Sequence, residues 1–140
     1  MSRPQQHEGI GRALLLALLG AIIAHAMFDL PILEIGTKMR SSPGQWLGEA
    51  VATFTLVLTI LGTICHRPQW VPLAVAAVIT AGYWFTSSTS FANPAITLAR
   101  SLTDSFSAIR PIDAPGFIAA QIGGALVAVA CARWPFDDRA

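Results

Sequence analysis

Four apolar runs, each close to the length of a membrane-crossing helix, constrain this chain more than any other feature. A hydrocarbon core about 30 Å thick takes about 20 residues of helix. The runs are residues 13–30, 46–64, 70–87 and 115–132. The composition also indicates a membrane protein, because 54% of the residues are apolar and only 12% are charged. Average soluble domains have about 25% charged residues. The sequence predicts an all-α integral membrane protein with four transmembrane helices, in a single domain over residues 1–140.

Prolines and tryptophans support these boundaries. Proline ends a helix without breaking its hydrogen-bond ladder when it lies at or beyond the end of the run. An indole ring prefers the interface between headgroups and acyl chains. The residues concerned are Pro31, Pro43, Pro68, Pro111, Pro115 and Pro135, and Trp46, Trp70, Trp84 and Trp134.

The first run could be mistaken for a signal peptide, but no small-residue cleavage site follows it, so it is interpreted as a span. Four crossings place both termini on one side with five arginines, against four basic residues opposite. This weak asymmetry favours cytoplasmic termini in a multi-pass protein of the inner membrane, with the lipid bilayer as partner. Cys65 and Cys131 then lie near cytoplasmic helix ends, where we expect small buried residues and no disulfide.

The segment between the last two runs, residues 88–103, is too polar to cross a membrane and too long for a tight turn. Asn93 suits the N-cap of a short helix, and Pro94 suits its first position. A helix of at most three turns can enter the membrane and stop, provided that protein or a cavity surrounds its approach. The segment therefore predicts a re-entrant half-helix. Its unpaired N–H groups and the Asn93 amide would favour a neutral solute over a cation.

Three motifs in order are similar to the second half of an aquaporin, the major intrinsic protein family. They are GEAVATF at residues 48–54, FANPA at 91–95 and PGFIAAQIGGA at 115–125. The stretch AHAMFDLPILEIGTK at residues 24–38 further resembles bacterial members associated with arsenic resistance. The resemblance implies a channel for facilitated diffusion of water, glycerol, arsenite or antimonite, with neither a cofactor nor a metal.

By this resemblance, Asn93 is the hydrogen-bond donor at the pore centre, and Pro94 and Ala95 begin the half-helix. Glu49, in a Glu-x-x-x-Thr pattern with Thr53, is the carboxylate that braces the re-entrant loop. A carboxylate inside a span is costly unless it is paired or functional. The alternative is that Glu49 merely lies at the membrane interface.

Four further polar or small positions on the spans are interpreted as packing residues. His25 is expected to be a packed or interfacial histidine, since no second metal-type residue lies at helical spacing from it. Gln121, Gly123 and Gly124 are expected to serve close helix packing, because small residues let helices approach closely in lipid.

The chain departs from the family at the outer constriction. Most aquaporins follow Asn-Pro-Ala with an arginine, but Ile96 stands there, and Ser90 and Ala81 take two other filter positions. Such an apolar, roomier filter would favour neutral solutes larger than water. Arg100, one turn after Ile96, remains an alternative as a displaced filter arginine.

An aquaporin pore needs six spans and two half-helices, whereas one Asn-Pro-Ala and four spans are found here. One interpretation is a channel subunit that is completed by a complementary half or another copy. The other is a truncated, non-conducting membrane protein, or a partner of full-length channels. Scattered histidines and the lack of a phosphate loop argue against an enzyme, and the lack of a basic cluster argues against nucleic acid.

Overall fold

A computed structural model describes residues 3–136, except for the side chains of residues 3–8, 10 and 134–136. The secondary structure of residues 3–136 is helical, without strands. The helices are α1 (Arg3–Met27), α2 (Pro43–His66), α3 (Val71–Phe85), α4 (Pro94–Arg100) and α5 (Ala114–Phe136). Single 3₁₀ turns at Pro68–Trp70 and Pro111–Asp113 precede α3 and α5. The all-α prediction is confirmed. Trp134, one of the interface tryptophans, has its side chain outside the described part.

The described residues form two compact units. The first contains the chain up to Arg40 together with Asn93–Pro115. The second contains Ser41–Ala92 together with the chain from Gly116 onward. The predicted single domain over residues 1–140 stays a prediction.

In the first unit, α1 ends at a turn that no motif in the sequence predicts. The N–H of Phe28 donates to the carbonyls of Ala24 and His25, and the N–H of Leu30 donates to His25. Asp29 adopts the left-handed conformation with φ of 53°, which closes the helix as an αL cap. Helix α1 therefore ends three residues before the predicted Leu30, and it begins ten residues before the predicted residue 13.

Arg40 fixes the segment after α4 in the same unit. Its side chain is 1% exposed, and its Nε donates to the carbonyl of Ala108 at 2.6 Å. The Arg40 backbone N–H donates to Asp113 Oδ2 at 2.8 Å, and the same carboxylate accepts from Arg110 Nε at 3.0 Å. A buried guanidinium needs such hydrogen bonds to offset its lost hydration. These bonds connect Arg40 with residues 108–113.

In the second unit, α2 begins with a capping box. The Gln45 N–H donates to Ser42 Oγ at 3.3 Å, the Ser42 N–H donates to Gln45 Oε1 at 3.4 Å, and Pro43 occupies the first turn. This box satisfies donors that the helix start would otherwise leave unpaired.

Helices α2 and α5 of the second unit run parallel. Gly116 lies against the Trp46 ring, Gln121 hydrogen-bonds to Glu49, and Gly124 lies against the Ala50 carbonyl. Residue numbers therefore rise together along both helices. The predicted close packing of Gly124 is confirmed, whereas a Cβ at Gly123 would meet nothing within 4 Å.

Among residues 3–136, two helical stretches are long and apolar enough to cross a membrane, Pro43–His66 and Pro111–Arg133. The apolar part of α1 is shorter, Gly11–Met27, and α3 has 15 residues. Cys65 and Cys131 are exposed, so the expectation that they are buried is wrong. Cys65 lies in the last turn of α2, and Cys131 lies five residues before the end of α5.

Candidate functional site

Glu49 lies at the centre of a buried hydrogen-bond network in the second unit. Its side chain is fully buried, at 0% exposure, on the second turn of α2. One oxygen accepts from Ser88 Oγ and from the Phe91 N–H, both at 2.8 Å. The other accepts from the Ala92 N–H at 3.0 Å and from Gln121 Nε2 at 2.6 Å. Four donors thus offset the cost of burying a carboxylate.

The loop that Glu49 holds has an unusual backbone. Thr89, Ser90 and Ala92 have φ values of 65°, 47° and 48°. Left-handed conformations cost residues with a Cβ roughly 1–2 kcal/mol each. Such strain persists only where surrounding contacts enforce it, and it concentrates at functional sites. The Glu49 bonds to the Phe91 and Ala92 N–H groups supply that enforcement.

Side chains hold the same loop from both flanks. The Phe91 ring packs against Phe117 of α5, with 5.2 Å between ring centroids at an angle of 56°. Ser90 is buried against Gly82 of α3, where a Cβ would collide with the Ser90 side chain. Gly82, beside the predicted filter position Ala81, is therefore the α3 residue in contact with Ser90, and Ala81 itself is exposed.

Asn93 follows this loop directly in sequence and caps α4 in the first unit. Its Oδ1 accepts from the Ala95 N–H at 2.8 Å, and Pro94 occupies the first turn. The N-cap prediction is confirmed. Because Oδ1 faces Ala95, the amide points its NH₂ group, a donor only, away from the helix start. Ile96 is half-buried on the first turn of α4.

Some predicted residues do not take part in this bracing. Thr53 is buried one turn after Glu49, and its hydroxyl has no hydrogen-bond partner among the described residues. His25 is buried at 3% exposure in the first unit, as the packed histidine was expected to be. In the described part of the chain, no group of three His, Cys, Asp or Glu side chains could hold a metal ion.

Sequence reasoning missed two of the donors to Glu49. Ser88 stands in a run of serines and threonines whose members look equivalent in the sequence. Gln121 was expected to serve helix packing, but its amide bonds to the Glu49 carboxylate instead. The available signal was a polar amide in the middle of an apolar run, which needs a partner in lipid.

Apolar helices, and a buried carboxylate that braces the loop immediately before Asn-Pro-Ala in sequence, define a membrane protein of the aquaporin type. The aquaglyceroporin AqpS of Rhizobium meliloti (strain 1021) is 55% identical over 118 residues, which make up 84% of this chain and 51% of AqpS. No family model matches the chain, and no solved structure does. The chain belongs to the aquaporin, or major intrinsic protein, family as a partial homologue, and it spans about half the length of the relative it matches.

Proposed function

We propose that this chain contributes one half of a membrane channel through which small neutral solutes diffuse down their gradients. The candidate solutes are glycerol, water, arsenite and antimonite. The observation that carries the proposal is the Glu49 network, which holds a strained backbone immediately before Asn-Pro-Ala. The name of the similar protein, an aquaglyceroporin, supports the same solute class. No catalytic step is part of the proposal.

The donors near Asn93 would select against cations. Its amide NH₂ group can donate to a solute lone pair while Oδ1 remains bound to Ala95. The dipole of the short helix α4 adds positive potential at the same end. A neutral solute with lone pairs is stabilised by such donors, whereas a cation is repelled.

The parallel course of α2 and α5 supports the proposed topology. If both helices cross the membrane in one direction, the chain between them must return once. Helix α4, with seven residues, is only about 10 Å long and cannot cross. Helix α3 with its preceding 3₁₀ turn spans roughly 28 Å, close to the hydrocarbon thickness. With α1 as a further crossing, this gives four spans, a re-entrant half-helix and both termini on one side of the membrane. The weak excess of basic residues on that side favours the cytoplasm.

A pore of the family type places a second half-helix opposite the first. We propose that another segment, another chain or another copy supplies it, so that the working channel is an assembly. Ser90, Ile96 and Ala81 remain the proposed filter positions. Gly82 adds to them because it lies against Ser90.

The first experiment measures solute entry into proteoliposomes that carry the purified chain, with glycerol, arsenite and water followed separately. Asn93→Asp is the informative variant, because aspartate still caps α4 but replaces the NH₂ donor by an acceptor. Ser42→Asp is the matched control, since it places the same carboxylate at the N-cap of α2. We expect entry above that of empty liposomes, which Asn93→Asp abolishes and Ser42→Asp preserves.

No entry from folded, inserted protein would leave two possibilities to separate. Entry that returns on co-reconstitution with a complementary channel half would support the half-channel. Continued absence of entry would overturn the proposal and favour the non-conducting membrane protein.

A substitution at Ile96 tests the proposed filter. We expect Ile96→Arg to reduce glycerol and arsenite entry by roughly tenfold while water entry changes little, because a guanidinium narrows the passage and repels cations. Ile96→Leu, which keeps an apolar side chain of equal size, should leave both unchanged. Stopped-flow light scattering measures the two permeabilities. An equal loss of water and glycerol entry would contradict this account of the filter.

A further inference from the structure

The second unit contains a shallow, open cavity between the end of α2 and the start of α3, with a volume of about 560 Å³. Its walls come from the last two turns of α2, from the 3₁₀ turn at Pro68–Trp70 and from the first turn of α3. The residues that line it are Gly62, Thr63, His66, Arg67, Trp70 and Ala74. The cavity lies at the opposite end of α2 from Glu49, and none of its lining residues belongs to the Asn-Pro-Ala loop.

Hydrogen bonds fix the backbone that carries Arg67 and Trp70. The Arg67 N–H donates to the Thr63 carbonyl at 2.7 Å, and the Trp70 N–H donates to the Arg67 carbonyl at 2.9 Å. His66 Nδ1 donates to the Gly62 carbonyl at 3.0 Å, because a carbonyl can only accept. The turn between the two helices is therefore ordered before any ligand binds, which lowers the entropy that binding would cost.

The charge of Arg67 determines the electrostatic potential of this cavity. Glu49 is the only acidic residue at positions 41–92 and 116–136, and it is buried at the other end of α2. Arg67 therefore has no carboxylate partner among the described residues of its own unit. The negative end of α2 and the positive end of α3 both lie beside the cavity and offset each other. What remains is the positive charge of the guanidinium.

Exposed apolar side chains flank the cavity. Ile64 and Leu73, each next in sequence to a lining residue, are 52% and 59% exposed, and Trp70 is 51% exposed. An indole ring prefers the interface between acyl chains and headgroups. Helix α2 has 24 residues and is about 36 Å long, which exceeds the hydrocarbon core by a few ångströms. If α2 crosses the membrane as proposed, the cavity lies at the depth of the lipid headgroups.

We infer that this cavity binds the phosphate of an anionic phospholipid. The Arg67 guanidinium donates two parallel hydrogen bonds to phosphate oxygens, for which its planar geometry is suited. The indole N–H of Trp70, which can only donate, is a further donor for the same group. The acyl chains of the lipid cover Ile64 and Leu73. This site goes beyond the proposed channel function, because it takes no part in solute passage.

Other occupants match the cavity less well. A cation would be repelled by Arg67, and Asp and Glu are absent from the residues that line the cavity. A zwitterionic phospholipid brings its own ammonium group beside the guanidinium. A free phosphate ion would lose hydration to a single cation and gain nothing from the apolar side chains of Ile64 and Leu73. An anionic headgroup with attached acyl chains matches both the charged and the apolar parts.

Quenching of tryptophan fluorescence by brominated lipids tests this site without any transport measurement. One chain retains only Trp70, through Trp46→Phe, Trp84→Phe and Trp134→Phe. The matched control retains only Trp84, which is 87% exposed near the other end of α3. Each chain is reconstituted into phosphatidylcholine vesicles that contain a fixed fraction of brominated phosphatidylglycerol, or of brominated phosphatidylcholine with the same acyl chains.

We expect brominated phosphatidylglycerol to quench Trp70 roughly twofold more than brominated phosphatidylcholine, and the two lipids to quench Trp84 equally. Equal quenching of Trp70 by both lipids would overturn this site and leave the proposed channel function intact. Quenching of neither tryptophan by either lipid would overturn the site together with the proposed crossing of α3. A preference that inorganic phosphate removes, but chloride at the same ionic strength does not, would overturn the lipid in favour of a free phosphate ion.

Two arginine variants of the Trp70 chain test the contact assigned to Arg67. Arg67→Gln removes the charge from an exposed side chain, and it should raise the half-quenching fraction of phosphatidylglycerol roughly tenfold. Arg133→Gln removes the same charge from an exposed residue of α5 outside the lining, and it should keep the preference. An equal loss in both variants would overturn the site in favour of a general attraction between basic residues and anionic lipid. An unchanged preference in Arg67→Gln would overturn the assigned contact.

Native mass spectrometry provides a second measurement with all four tryptophans in place. The chain is released from micelles that contain equal amounts of phosphatidylglycerol and phosphatidylcholine. We expect it to retain phosphatidylglycerol preferentially, and we expect Arg67→Gln to retain the two lipids equally. Equal retention of both lipids by the unchanged chain would overturn the site.

Discussion

Glu49 shows how one residue can hold a conformation that its neighbours would avoid. Two left-handed residues, Ser90 and Ala92, flank Phe91 in a loop that has no regular ladder of its own. The carboxylate accepts hydrogen bonds at both oxygens, and its donors come from two parts of the chain, the loop at residues 88–92 and α5. Removing such an acceptor leaves buried donors unpaired, which costs more than the bond itself contributes.

Glu49→Gln should lower the free energy of unfolding by about 2–4 kcal/mol. Glutamine keeps one oxygen but turns the other into an NH₂ donor, so two of the four donors lose their acceptor in either orientation. Thermal unfolding in detergent measures the effect. Glu34→Gln, the same change on a half-buried residue of the first unit, is the control. Equal unfolding temperatures for the two variants would contradict the bracing role.

Asp104 offers a second test at a single residue, away from the spans. Hydrogen bonds from the Thr37 backbone N–H, at 3.0 Å, and from its hydroxyl, at 2.9 Å, hold the pKa of Asp104 below its ordinary value. The unfolded chain binds this proton more readily, so the contribution to stability is present above the ordinary carboxyl pKa near 4. It is lost as the pH falls through the lower pKa of the folded state.

Thr37→Val should raise the pKa of Asp104 part of the way to its ordinary value, because the backbone bond, the larger cause, remains. Thr37→Ser keeps both bonds and should leave the pKa unchanged. Titration of the Asp104 carboxyl group by NMR measures its pKa in the unchanged chain and in the two variants. An unchanged pKa in the valine variant would show that the hydroxyl has no effect on this carboxyl group.

Among the elements, α2, α3 and α5 each begin and end within four residues of the predicted bounds. Ser42, Pro43 and Gln45 form a recognisable helix start, and Pro111 and Pro115 mark the start of α5. The start of α1 was not predictable, because residues 3–12 are too polar to be counted in an apolar run. The end of α1 was not predictable either, since it depends on the left-handed backbone conformation of Asp29, which no short motif predicts.

Gly124→Ala should destabilise the pair of α2 and α5 by about 1–3 kcal/mol, because the new Cβ collides with the Ala50 carbonyl of the backbone. Gly123→Ala is the matched control. Its Cβ enters open space, and alanine favours the helix by up to about 1 kcal/mol. Thermal unfolding of both variants measures the difference. A cost at Gly123 equal to that at Gly124 would contradict the packing of these helices.

For the molecule as a whole, the sequence predicted the class of protein but not all of the site. Apolar runs of membrane length predict an all-α membrane protein, and the resemblance predicted that Glu49 contacts the loop before Asn93. Ser88 and Gln121 could not be assigned, because they lie 39 and 72 residues from Glu49, and only the fold brings them together. The filter positions, the number of spans and the completing half stay predictions.

The proposed topology can be tested with the native thiols. Cys65 and Cys131 lie exposed at the ends of two parallel helices and should both face the cytoplasm. An impermeant maleimide should label neither in intact cells and both in inverted membrane vesicles. Ser41→Cys, before α2, should be labelled from outside in a chain without the native cysteines. Labelling of only one native cysteine in either preparation would contradict the parallel crossing of α2 and α5.

The Glu49 network also sets an order of events while the chain is being made. The ribosome completes α2 before any of its partners exist, and Gln121 is synthesised 72 residues after Glu49. Until then, an inserted α2 would carry a carboxyl group in lipid with an incomplete set of donors. The loop before Asn93 can therefore settle only when α5 has arrived beside α2. Helix α5, which leaves the ribosome later than this loop, therefore completes the conformation of the loop.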